Sequence, residues 1–155
     1  MKAILSLGIF SVLSLFLTSC GSGGYTKYTG TNGMELEYPS SWKAGKETGG
    51  YVNFLNEKTK SIIVAGKQKI VTPKTDAEIF EHYKARGALA INNLNVGGVP
   101  GKYVEYTTTL GQNEFYHKEA WKTVGGDVYS VACTLREAEK TSDIQSCNHI
   151  IETLK

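Results

Sequence analysis

Apolar and polar residues alternate from Met34 onward, and the period marks where strands give way to helices. In "MELEYPSSW", Met34, Leu36 and Tyr38 alternate with Glu35 and Glu37, which predicts a strand with one wet face. Pro39 cannot continue a ladder, so Pro39–Ser41 predicts a turn, and Trp42 re-enters the core. After Gly49-Gly50, "YVNFLN" alternates again, with Val52 and Phe54 on one face and Tyr51 and Asn53 on the other. The polar turn "NEKTK" leads to "SIIVAGKQ", β-branched at its centre. Short turns between these three runs predict a meander.

The period then changes. Thr75-Asp76-Ala77-Glu78 fits a capping box, and Ile79, Phe80, Tyr83 and Ala90 fall near one helical face. Gly87 weakens the helix by about 1 kcal/mol relative to Ala, so it is expected to end near there. "KYVEYTTTL" and "NEFYHKEAWKTV", parted by Gly111-Gln112, read as a hairpin. Gly125-Gly126-Asp127 turns the chain into "VYSVACTL", where Tyr129, Val131, Cys133 and Leu135 share a face. The last segment carries a second possible capping box, Ser142–Gln145, and an apolar stripe of Ile144, Cys147, Ile151 and Leu154 beside Ile150. The order β-β-β, α, three or four strands, α predicts an α+β fold. It would be a mostly antiparallel central sheet of six to seven strands flanked by helices.

Composition narrows the partners. The 155 residues carry a formal net charge of +2, with neither a basic stripe for nucleic acid nor an acidic tail. Hydrophobic content of 41% is enough for one globular core.

The start of the chain sets the compartment. Lys2 is a short positive region, Ala3–Leu17 is apolar, and Thr18-Ser19 are small residues before Cys20, the layout of a signal peptide. The run falls short of the roughly 20 apolar residues that cross a bilayer, and no basic cluster follows it. Leu17-Thr18-Ser19-Cys20 also resembles the lipobox of bacterial lipoproteins. That resemblance implies cleavage after residue 19 and fatty acylation of Cys20, with palmitate as a typical chain. One acyl chain binds a membrane marginally, and two or more anchor it. Gly21 after the cysteine favours the outer membrane in a Gram-negative host. The expected layout is a signal peptide over 1–19, a lipidated cysteine and flexible tether over 20–31, and one globular domain over 32–155. Export leaves Cys133 and Cys147 in an oxidising compartment. They are expected either to cross-link or to remain two buried thiols. Both lie on predicted core faces, one on a strand and one on the helix after it, which favours the cross-link.

"GMELEYPSSW", "GVPGKYVEYT", a hairpin into "YSVAC" and a closing helix ending "HIIETLK" together resemble the PsbP-like family, over most of Asn32–Lys155. The resemblance implies an α/β/α sandwich and a non-enzymatic binding or assembly role at a membrane surface. It carries over no catalytic residue and no cofactor, and a cysteine pair is not one of its hallmarks.

Candidate chemistry is sparse. His117-Lys118-Glu119 puts an imidazole and a carboxylate on one strand face, the beginning of a metal site, but alternation explains them equally well as surface residues. Cys147 and His149 are two apart on a helix and do not face each other. No nucleophile elbow, zinc-helix, Cys-x-x-Cys or phosphate-loop pattern occurs. The reading is therefore a protein without catalysis, metal or cofactor, held at the membrane through Cys20 and binding a protein partner. Nine tyrosines suggest where: Tyr103, Glu105, Tyr106, His117 and Glu119, on strands 102–109 and 115–123. An alternative reading is an inhibitor or immunity lipoprotein that blocks a foreign enzyme such as lysozyme. It would insert a loop, Gly97–Gly101 or Gly111–Asn113, into that enzyme's active site.

Overall fold

Residues 24–72 and 74–155 are described by the computed structural model. The signal-peptide and Cys20 expectations lie outside these residues. The elements are β1 (Tyr25–Thr29), β2 (Glu35–Pro39), β3 (Lys43–Ala44), β4 (Tyr51–Leu55), β5 (Ile62–Lys69), α1 (Asp76–Lys84), β6 (Asn92–Val96), β7 (Val99–Leu110), β8 (Asn113–Val124), β9 (Asp127–Arg136) and α2 (Lys140–Thr153). A 3₁₀ turn, Glu137–Glu139, precedes α2. Seven strands form one antiparallel sheet in the order β3-β4-β5-β9-β8-β7-β6, as the α+β expectation required.

The meander is corrected at its first member. β2 leaves the main sheet and pairs with β1, Tyr25 opposite Pro39 and Thr29 opposite Glu35. The place beside β4 goes to the two-residue β3 instead. The cause is the Pro39–Trp42 turn, where the Trp42 amide bonds the Pro39 carbonyl at 2.9 Å and Trp42 is buried. β2 then lies along α2, and Glu35 and Lys155 exchange two backbone bonds of 2.8 Å. Part of the 20–31 stretch expected as tether is a strand. Tyr25–Thr29 is strand β1, a short run rich in Tyr and Thr, residues favoured in strands.

α1 has the expected capping box. Thr75 Oγ1 accepts from the Glu78 amide, and Glu78 Oε2 accepts from the Thr75 amide at 2.8 Å. The helix ends at Lys84, and Gly87 follows with φ 96°. Ala90, expected on its apolar face, lies beyond the helix and is exposed. The second expected box does not form. α2 starts at Lys140, and the Ser142 hydroxyl donates back to the Glu139 carbonyl at 2.8 Å. Buried Asp143 ties this end of α2 to the β4–β5 turn, accepting from Thr59 Oγ1 at 2.5 Å and Asn56 Nδ2 at 3.1 Å.

The main core lies between the sheet and α2. It contains Phe54, Ile63, Val131, Leu135, Ile150, Ile151 and Leu154, with Met34 and Leu36 closing it from β2. Cys133 on β9 and Cys147 on α2 are disulfide-bonded across it, Cα atoms 6.1 Å apart. Lys122 Nζ donates to the Leu154 carbonyl at 2.7 Å, and the Gly97 amide to the Ile151 carbonyl at 2.9 Å, so both satisfy the C-terminal end of α2. A Cβ at Gly97 would strike that Leu154 carbonyl. α1 covers the opposite face over β7 and β8, where Val104, Tyr106 and Ala88 form a smaller core with Tyr83 and Trp121. Helices on both sides of one sheet complete the α/β/α layering.

Candidate functional site

The five sequence-predicted partner residues fall on both faces of the β7–β8 pair. Pairing sets Tyr106 opposite His117, and Glu105 opposite Lys118. Side chains alternate, so Tyr106, His117 and Glu119 face α1, whereas Tyr103 and Glu105 face the α2 side. The five residues therefore form two groups, as strand alternation requires.

On the α2 side, Glu105 Oε1 accepts from the Tyr116 hydroxyl at 2.6 Å. Lys118 Nζ lies 3.6 Å from Glu105, donates to Asn148 Oδ1 at 3.0 Å and sits 5.0 Å over the Tyr103 ring. Lys140 Nζ caps the Tyr116 ring at 3.9 Å. Burial, then the Glu105 carboxylate, raises the Tyr116 pKa well above the phenol value. These groups bind α2 to the strands.

On the α1 side, Glu119 joins helix to sheet. The Tyr83 hydroxyl of α1 donates to Oε2 and the Tyr106 hydroxyl of β7 to Oε1, both at 2.6 Å. Burial and these carboxylate bonds raise both tyrosine pKa values. His117 stacks on Tyr106 with centroids 4.6 Å apart. Its Nε2 lies 2.7 Å from Thr108 Oγ1 and its Nδ1 3.2 Å from Thr134 Oγ1. A neutral imidazole donates from one nitrogen and accepts at the other, and a hydroxyl suits either role. Burial lowers the His117 pKa; Glu119 opposes this and Arg86 adds to it. Among the described residues no third ligand joins His117 and Glu119 into a metal-binding group.

A groove of about 1140 Å³ opens beside this cluster. Its walls include Tyr51, Ile79, Trp121, Val128, Ser130 and Ala132. α1 covers β7 and β8, but no helix among the described residues lies over the same face of β9, β5 and β4, and Ile62 there is 40% exposed. Trp121 stacks nearly parallel to Tyr83, centroids 6.1 Å apart, and with Tyr83 and Glu119 it lines the groove. Trp121 is two residues from Glu119 and was legible from alternation alone. Tyr83 was not, because only the tertiary fold lays α1 on this face.

No family model matches the sequence, and no curated protein matches it. Solved structures share its fold. PsbP (CyanoP) from Synechocystis superposes with a TM-score of 0.63 at 17% identity, over 90% of this chain and 98% of that one. LpqN, involved in cell envelope biogenesis of Mycobacterium tuberculosis, gives 0.60 at 14% identity, over 85% and 90%. The Saccharomyces cerevisiae Ran-binding protein Mog1p gives 0.58 at 10% identity, over 86% and 96%. The fold is thus PsbP-like. No helix among the described residues is long and apolar enough to cross a membrane.

Proposed function

We propose that this protein is a cell-envelope lipoprotein, anchored through Cys20, that serves as a non-catalytic binding or accessory component. Its partner would be another protein, held in the groove beside Trp121. The observation that carries this reading is a half-open sheet face whose polar groups are already engaged. Glu119 holds two tyrosine hydroxyls, and both His117 nitrogens meet threonine hydroxyls. Such groups shape a surface; they are not free to move a proton on a substrate. Aromatic walls beside a firm polar cluster suit a protein interface. The fold shared with an envelope-biogenesis protein and a Ran-binding protein supports the same role. A photoreactive phenylalanine analogue at Val128 in the full lipidated chain tests it in native membranes. A discrete cross-linked product, lost with Trp121→Ala, is expected. Cross-linking indifferent to Trp121 would place the partner elsewhere.

One feature favours the inhibitor reading. The β7–β8 hairpin runs past the end of β9, whose pairing stops at Arg136 opposite Phe115, and Leu110 at its tip is 74% exposed. A lysozyme assay separates the two readings, and undiminished lysozyme activity is expected.

A further inference from the structure

The two ends of the sheet differ in what they present, and the chain enters at only one of them. Gly24 is fixed there: its carbonyl accepts from the Ser40 amide at 2.8 Å, one position beyond the Tyr25–Pro39 pair. Two residues after Ser41, Lys43 pairs with Leu55, which in turn pairs with Ile62 and so with Thr134. The same end therefore carries the Asn56–Ser61 turn, the start of α2 and the Leu110–Asn113 tip. The opposite end carries the Gly97-Gly98 and Gly125-Gly126 turns, with Lys69 opposite Asp127. The groove opens toward that far end through Ile70, Thr72, Thr123 and Val128.

Cys20 precedes Gly24 by four Cα steps, which reach at most about 14 Å. β8, at 12 residues, runs roughly 36 Å from end to end at a strand's rise. A leash that short keeps the near end within about 14 Å of whatever surface anchors Cys20, and the far end touches that surface only if the sheet lies flat along it. The near end carries charges of both signs, with Glu114, Glu137 and Glu139 around the hairpin tip and lysines on the Asn56–Ser61 turn. Lys58 and Lys60 are exposed beside the chain's entry and form no ion pair among the described residues. Leu110 adds an exposed apolar tip on the same side. Cations next to an acyl anchor strengthen its hold on anionic headgroups.

We infer that the end of the sheet bearing the Asn56–Ser61 turn and the Leu110–Asn113 tip rests on an anionic bilayer surface, with the groove turned away toward its partner. The inference rests on acylation of Cys20 and goes beyond it by fixing an orientation. It also withdraws the Leu110 hairpin from any soluble enzyme it was expected to enter.

The test uses the full lipidated chain in vesicles of phosphatidylethanolamine and phosphatidylglycerol, with one fluorophore at Lys58→Cys, Gln112→Cys, Lys69→Cys or Val124→Cys. Acylation and the disulfide leave the introduced thiol free for labelling. A lipid carrying a nitroxide on its headgroup is expected to quench positions 58 and 112 several-fold more than 69 and 124. Equal quenching at all four positions, or the reverse order, in a chain that floats with the vesicles would overturn the orientation alone. A chain that stays off the vesicles, with Cys20 itself taking the label, would overturn the anchor and the orientation together.

Discussion

Glu119 is the residue on which the α1 face depends. Its two oxygens accept from Tyr83 and Tyr106, which belong to different elements. Glu119→Ala leaves the hydroxyls of half-buried Tyr83 and buried Tyr106 without an acceptor, and should lower stability by about 2–3 kcal/mol in urea unfolding. Adding Tyr83→Phe and Tyr106→Phe to that variant should lower it by less than their separate effects predict, because the shared acceptor is already gone. His117 gives the same face a dependence on pH. Its folded pKa lies below the ordinary imidazole value near 6.5, because burial disfavours the charged ring. The unfolded chain therefore takes up a proton first as pH falls. Stability is full above about pH 6.5 and is lost as pH drops from there toward the depressed folded pKa. Urea midpoints for the protein and for His117→Gln, measured from pH 7.5 to pH 5, should converge at the acid end.

At the scale of elements, the two helices are held very differently. α2 is stapled by the disulfide, buried on one stripe and satisfied at its C-terminus by Lys122 and Gly97. Replacing both Cys133 and Cys147 with Ala should cost about 3 kcal/mol, on the loop-entropy estimate for a closed loop of this size. Calorimetry with and without reductant checks it. α1 has no buried residue and is fastened by Tyr83 and by a 3.1 Å pair between Asp76 and Lys102. Its amides should exchange with deuterium orders of magnitude faster than those of β8 and β9. This contrast explains what the sequence could tell. Strands with a wet and a dry face, the α2 stripe and the Thr75 box all follow from local period and capping, and were legible. The pairing partner of β2 was not, because alternation fixes which face is buried and not which neighbour lies alongside. The division of Tyr103 and Glu105 from Tyr106, His117 and Glu119 follows from strand parity and was readable. The arrival of Tyr83 beside Glu119 depends on a contact 36 residues apart in sequence, beyond any local pattern.

Across the whole molecule, a chemically quiet α1 face, a groove at one end of the sheet and a chain entering at the other suit a module that stands on a membrane and presents a partner surface outward. The shared PsbP-like fold supplies the architecture, and Cys20 supplies the proposed attachment. Intact-mass spectrometry of the protein extracted from native membranes is the most direct test. The account predicts a chain beginning at Cys20, heavier than its sequence by a diacylglyceryl group and, after full maturation, one more acyl chain. A bare Cys20 thiol, an uncleaved leader or processing at another residue would contradict it.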